Sequence, residues 1–238
     1  LFYLRPPMRT GEPLLLICHS FPPNSGIGGR RWAKFAKELA RRGHPVHVIR
    51  NATPHERMPS LWSEDVLHPN IIAHPLPDHY PGVMFRWPAS TLGEKARYWL
   101  STRLLPLCTK GNWYDRGIFW HRPMIRMAGK LIREHGIRNV VVTGAPFSLM
   151  AFATELKDSF PEINLVGDFR DMWTWGNYYG YQTIGEKRLQ HERELEALVA
   201  NKSDKLISPH PAVLEYLAHT YAIPASRMAV LPHAVDTE

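Results

Sequence analysis

The chain has 238 residues, 44% of them hydrophobic, enough for one good core or two small ones, and no run of about eighteen apolar residues, so no transmembrane helix is indicated. Only two cysteines occur, Cys18 and Cys108, which argues against a disulfide framework and for a reducing cytoplasm. The formal net charge of +7 favours anionic partners, whether nucleic acid, phosphate ligands or an acidic membrane surface, and does not choose among them.

The opening LFYLRPPM has a short apolar stretch and no small-residue cleavage site, so the expectation is a processed or truncated end rather than a signal peptide. Leu14 to Ile17, bounded by turn residues, predicts a buried strand, with Cys18 buried at its end. A Pro/Gly/Asn/Ser loop, FPPNSGIGGRR, follows, and then a helix from about Arg30 to Arg42. Trp32, Phe35, Ala36 and Leu39 form its apolar face, and Gly43 ends it as a C′ glycine. Val46, Val48 and Ile49 make a second strand. Strand, glycine loop, helix, strand is the opening of a parallel α/β sheet.

A weaker third strand is expected at Ile71 to Ala73. The stretch from about Pro75 to Pro123 breaks the rhythm, mixing Trp and Tyr with Arg and Lys. It reads either as a membrane-interface element or as a helical subdomain packing its aromatics on the core. The βα alternation then returns. Helices are expected at Met124 to His135, Phe147 to Lys157, about Ile184 to Ala200 and Ala212 to Tyr221. Strands are expected at Val140 to Val142, Ile163 to Val166, Lys205 to Ile207 and Met228 to Leu231. The fold class is therefore α/β and Rossmann-like: about seven mainly parallel strands in one domain, with helices on both faces.

Four features could carry chemistry. The loop Gly26-Ile27-Gly28-Gly29-Arg30-Arg31 opens a helix, where backbone N–H groups, the helix dipole and either arginine could meet a phosphate. It fits neither a dinucleotide fingerprint nor a P-loop, and a plain flexible turn is the alternative. Thr143 to Ser148 follows a strand and so lies on the ligand edge of the sheet; Pro146 and Ser148 fall there, Ser148 as a helix cap rather than a nucleophile. Asp168, Arg170 and Asp171 end a buried strand, with Trp173, Trp175, Tyr178 and Tyr179 behind them as stacking faces. They could face an acceptor or form an internal Asp–Arg pair, and the two roles can coexist. GEKRLQHERELEAL reads as a solvated helix face with Glu192–Glu196 and Arg188–Glu192 at i,i+4 spacing. No metal site is expected: no Cys/His pair has zinc-finger spacing, and His44 and His47, three apart on a strand pattern, should point to opposite faces.

In order and spacing, FPPNSGIGGRRWAKFAKELARRGHPVHVI, VVVTGAPFSLMAFATELK, INLVGDFRDMWT and ELEALVANKSDKLISPHPAVLEYL with MAVLPHAVDTE resemble the N-terminal half of retaining glycosyltransferases of the GT-B fold. Within that fold they resemble the large group-4 family of nucleotide-sugar enzymes. Where such enzymes carry a linker like Asn-Gly-Val-Asp, this chain has His233-Ala234 in place of Asn-Gly. The resemblance implies that residues 1–238 form the acceptor-side domain with an insertion at about 75–123, and that the donor-binding domain would follow. It implies transfer of a sugar from a nucleotide-sugar, a hexosyltransferase reaction with retention, in envelope or polysaccharide synthesis. By the same resemblance, Gly28 and Gly29, with Arg30 and Arg31, would approach the donor phosphates or sugar. Pro146, Ser148, Asp168, Arg170, Asp171 and Trp173, together with the insertion, would line the acceptor side. No cofactor or metal is implied, no catalytic residue is assigned, and the 238-residue chain alone is expected to be inactive. Partners implied are the nucleotide-sugar and a glycan or lipid-linked acceptor; the net positive charge and the basic aromatic insertion add an anionic membrane surface at the cytoplasmic face, and no nucleic acid is expected. Two readings compete with this one. A nucleotide-dependent oxidoreductase needs an acid where Arg50-Asn51 stand, and a non-catalytic membrane or nucleic-acid docking module needs only the basic insertion.

Overall fold

Leu14–Ile17 is four apolar residues with every side chain buried, and it forms an interior strand of the sheet, β1. In this computed structural model, which describes residues 11–24, 27–52, 62–85, 91–176 and 179–233, six further strands run parallel to it. They are β2 (Val46–Asn51), β3 (Ile71–Leu76), β4 (Asn139–Gly144), β5 (Asn164–Phe169), β6 (Lys205–Ser208) and β7 (Met228–Val230). Their order is β3-β2-β1-β4-β5-β6-β7. The chain winds outward from β1 in one direction, returns, and winds outward from β4 in the other, so the direction switches between β1 and β4. The parallel α/β expectation holds, and β3 proves longer than its sequence pattern suggests because it pairs with β2 along its whole length.

Alternation along β1 divides the core. Leu14, Leu16 and Cys18 face a cluster with Trp32, Ala33 and Ala36 of α1 (Ile27–Arg41). Leu15 and Ile17 face a larger cluster built from α3 (His121–His135), α4 (Ser148–Ala153), α6 (Glu186–Lys202) and α7 (Pro211–Tyr221). Burial pushes the Cys18 thiol up to about 12, against a smaller opposing pull from Arg170. Gly43 does end α1, at φ +87°, with its N–H bonded to the Ala40 carbonyl. The helix expected over Phe147 to Lys157 is two short ones, α4 and α5 (Glu155–Ser159), broken at Thr154. The Thr154 hydroxyl turns back to donate to the Ala151 carbonyl. His47 lies against His74 and His135, while His44 meets the Glu12 carbonyl.

The insertion holds α2 (Leu92–Cys108), opened by a capping box in which Thr91 and Glu94 satisfy each other's backbone N–H groups. Its aromatics divide. Tyr80 and Trp120 are buried, and Trp113 and Tyr114 pack on the core, whereas Trp99 stands on the outer surface of α2.

The solvated face expected for α6 is overturned. Glu192 and Glu196 point inward, 5% and 1% exposed, where donors from other parts of the chain meet them. Glu192 accepts from the Asn112 N–H at 2.7 Å, the Trp173 indole at 2.8 Å and the Tyr181 hydroxyl at 3.3 Å. Glu196 accepts from the Thr174 hydroxyl at 2.6 Å and the Tyr221 hydroxyl at 2.7 Å. Arg188 does not pair with Glu192; it donates to the carbonyls of Pro106, Thr109 and Gly111, tying α6 to the end of α2.

Candidate functional site

Open parallel sheets bind ligands at the carboxyl ends of strands where the winding direction reverses. A cavity of about 260 Å³ opens at that place. After β1 it is lined by Ser20 and Gly28, after β4 by Ala145, Pro146 and Phe147, and after β5 by Arg170, with Tyr179 and Tyr181 beyond it. The insertion contributes Tyr114, Asp115 and Arg116. Two guanidinium groups and three phenol rings thus converge on one opening. Such a wall suits a ligand that combines negative charge with flat polar faces.

The walls are fixed by the sequence around them. Asp115 accepts four hydrogen bonds: from the N–H groups of Gly117 at 2.8 Å, Phe147 at 2.7 Å and Ser148 at 3.0 Å, and from the Ser148 hydroxyl at 2.6 Å. It thereby caps α4 from a distant segment, the task expected of Ser148, whose hydroxyl donates instead. Phe147 stacks on Trp173 with ring centroids 4.9 Å apart. Trp173 is wholly buried, so it backs the wall rather than facing a ligand, a correction to its place on the acceptor side.

Asp168, Arg170 and Asp171 part company. Asp168 is fully buried and takes the Arg31 guanidinium at 2.7 and 2.8 Å and the Trp32 indole at 2.7 Å, while Arg31 also holds the Leu231 carbonyl at 2.8 Å. This is an internal ion pair joining α1 to β5 and the end of the chain past β7. Breaking one side of such a buried pair costs about 3–5 kcal/mol. Arg31 and Asp168 are therefore occupied with each other, and Arg30 lies exposed over the Trp62 ring, so neither arginine lines the cavity.

Arg170 does line it. Burial works against its charge, but Asp171, at 2.9 and 2.7 Å, raises its proton affinity above the ordinary guanidinium range and keeps it a cation. The Tyr179 hydroxyl donates to the same Asp171 oxygen at 2.9 Å, and burial and that carboxylate push its own pKa up, leaving a neutral phenol. Trp175 stacks on Tyr216, away from the cavity. Tyr178 and Gly26 lie outside the described residues.

The glycines lie inside the helix rather than in the loop expected before it. Gly28 and Gly29 sit buried in the first turn of α1, at ordinary φ. A Cβ on Gly28 would fall 2.0 Å from the Arg170 Nη1, and one on Gly29 would fall 2.0 Å from the Ser20 carbonyl oxygen. Gly28 therefore admits an arginine that faces the cavity, and Gly29 admits backbone. Sequence reading placed the insertion on this side without singling out Tyr114, Asp115 or Arg116, and it missed Tyr181. The Asp-x-Gly of residues 115–117, a side-chain cap before a short helical turn, was the available signal for Asp115. Among the described residues, no group of three or more His, Cys, Asp or Glu side chains is placed to hold a metal ion.

Solved structures of low identity share the fold. Medicago truncatula UGT71G1 complexed with UDP-glucose matches at 13% identity and a TM-score of 0.52, over 95% of this chain and 52% of that one. The catalytic domain of starch synthase IV from Arabidopsis thaliana, bound to ADP and acarbose, matches at 10% identity and 0.50, over 96% and 52%. The chain thus spans about half the length of either protein. No curated protein matches it in sequence. The model of Glycosyltransferase Family 4 matches residues 25–238, nearly the whole chain, and the protein belongs to that family.

Proposed function

We propose that this chain is the acceptor-side half of an enzyme that moves a sugar from a nucleotide-sugar to an acceptor hydroxyl with retention at the anomeric carbon. The observation that carries the reading is the cavity at the β1/β4 switch, with Arg170 and Arg116 beside Tyr114, Tyr179 and Tyr181. The guanidinium groups would offset the charge that grows on a departing diphosphate or sits on an anionic acceptor. The phenol rings would give a sugar its stacking faces. Asp171 holds the Arg170 cation in place, so the stabilising charge is present before the substrates arrive.

A donor-binding domain would follow these residues and close the other wall, excluding water. The reading includes no cofactor or metal beyond the nucleotide-sugar itself. It also places the work at the cytoplasmic face of a membrane, on a lipid-linked or envelope-glycan acceptor, which the +7 charge and the basic aromatic insertion support.

The test is a panel of UDP-, ADP- and GDP-sugars offered to the full-length parent, scored by release of nucleoside diphosphate and by the anomeric configuration of the product. The parent should turn over with at least one donor and keep its anomeric configuration, and Arg170→Gln should lower kcat/KM by at least about tenfold. An inverted product would remove retention. Wild-type kcat/KM in Arg170→Gln would remove this cavity from the reaction.

A further inference from the structure

Helix α2 is built inside out. At about 100° per residue, Leu92, Ala96, Trp99, Leu100, Arg103, Leu104 and Leu107 fall within an arc of roughly 140°. That arc faces outward: Leu92 is 85% exposed, Trp99 55%, and Leu107 81%. The inward side carries Glu94, Tyr98, Ser101 and Leu105, and only Leu105 among them is buried. A helix whose apolar arc is solvated needs an occupant for it.

The charges say what that occupant is. Lys95 and Arg97 flank the arc on either side, both exposed, and Arg103 lies within it with its guanidinium 3.7 Å above the Trp99 ring. Glu94, the only acid on α2, is on the inward side. Beyond the end of the helix, Lys110, Lys187 and Arg188 line a groove. One acid, Glu194, shares that groove, and Glu186 beside it pairs with Arg193. An apolar arc bearing Trp and Leu, rimmed by Lys and Arg, matches the depth profile of a bilayer surface: side chains among acyl carbons, rings at the headgroups, cations at the phosphates.

We propose that α2 docks the protein on an anionic phospholipid bilayer through Trp99, Leu100, Leu104 and Leu107, with Lys95, Arg97 and Arg103 at the lipid phosphates. The proposal rests on the membrane-side reading given above and names the surface that performs it. The chain leaving α2 reaches the cavity wall at Tyr114, so docking would hold the opening close to the headgroups, where a lipid-linked acceptor presents its hydroxyl.

The experiment is co-sedimentation of the 238-residue chain with vesicles of pure phosphatidylcholine and of phosphatidylcholine containing phosphatidylglycerol, at low and at physiological salt. Binding should need the anionic lipid and weaken with salt. Leu104→Glu/Leu107→Glu should lower it by at least about tenfold, and each of Lys95→Gln and Arg97→Gln by roughly fivefold. All four side chains are exposed, so an unchanged melting curve will certify the fold. Unimpaired binding by the double variant, or no binding of the parent chain to anionic vesicles at low salt, overturns the proposal. So does a concentration-dependent dimer that the double variant abolishes while vesicles have no effect, since the arc would then be filled by a second copy. Transfer to a soluble acceptor by the full-length parent, carrying the same substitutions, separates the two readings. Retained transfer with lost vesicle binding touches docking alone, and absent transfer in the unsubstituted parent touches the reaction alone.

Discussion

Helices α2 and α6 have the same length, 17 residues, and are joined by Arg188, yet they invert the usual rule in opposite ways. Helix α6 turns two glutamates into the protein, and α2 turns four leucines and a tryptophan out of it. The difference lies in what surrounds each. Glu192 and Glu196 meet donors from Asn112, Trp173, Thr174, Tyr181 and Tyr221, and a buried carboxylate is tolerable when its oxygens are satisfied. No such set of partners covers the outer arc of α2 among the described residues. Polarity alone does not decide which face is inside; the neighbours that the rest of the chain delivers do.

The largest effect in this comparison should come from Glu192→Ala. It strands the Trp173 indole and the Asn112 N–H in the interior and should cost about 3 kcal/mol. Urea denaturation measures it, and a cost under about 1 kcal/mol would mean that water replaces the carboxylate. Arg188→Ala comes next. Three carbonyls at the end of α2 lose a charged donor, but they are only partly buried, so about 2 kcal/mol is expected. Faster amide exchange at the C-terminal turn of α2 should accompany it.

A smaller effect is a dependence on pH. Burial raises the pKa of Glu196 above the ordinary value of 4.5, opposed by the hydrogen bond from Thr174. A carboxyl with a raised folded-state pKa contributes most below its unfolded value and loses that contribution as pH rises through the raised one. The difference in Tm between the parent and Glu196→Gln should therefore be most favourable to the parent below pH 4.5 and shrink as the pH rises above it. A difference that grows with pH would show that the donors, not burial, dominate. The smallest effect belongs to α2: Leu104→Glu should shift stability by no more than about 0.5 kcal/mol, and a larger loss would mean that the outer arc is covered.

Much of this was legible in the residues. The strand–helix rhythm, Gly43 as the end of α1 and the ligand edge after β4 follow from local patterns whose causes lie within a few residues. The misreadings share one physical origin, which is partners remote in sequence. Arg31 looked like a phosphate ligand because its carboxylate, Asp168, is 137 residues away. The i,i+4 spacing of Glu192 and Glu196 fits a solvated stripe equally well, and donors from remote residues such as Asn112, Trp173 and Tyr221 meet it inside. Gly28 and Gly29 signal a close approach, but not by what; their own protein supplies both visitors. Helix α2 was announced by Thr91-Leu92-Gly93-Glu94, a capping box visible in sequence, and was hidden by its inverted apolar face.

Asp115 links pieces of chain made at different times. One carboxylate from the insertion holds the first turn of α4 and the turn at Gly117 together, and each of its oxygens serves two donors. None of these bonds can open by itself without leaving the others strained, so the insertion and the wall after β4 should breathe as one unit. In a deuterium-labelling experiment the amides of Gly117, Phe147 and Ser148 should share a single opening free energy, although two of them lie some thirty residues from the first.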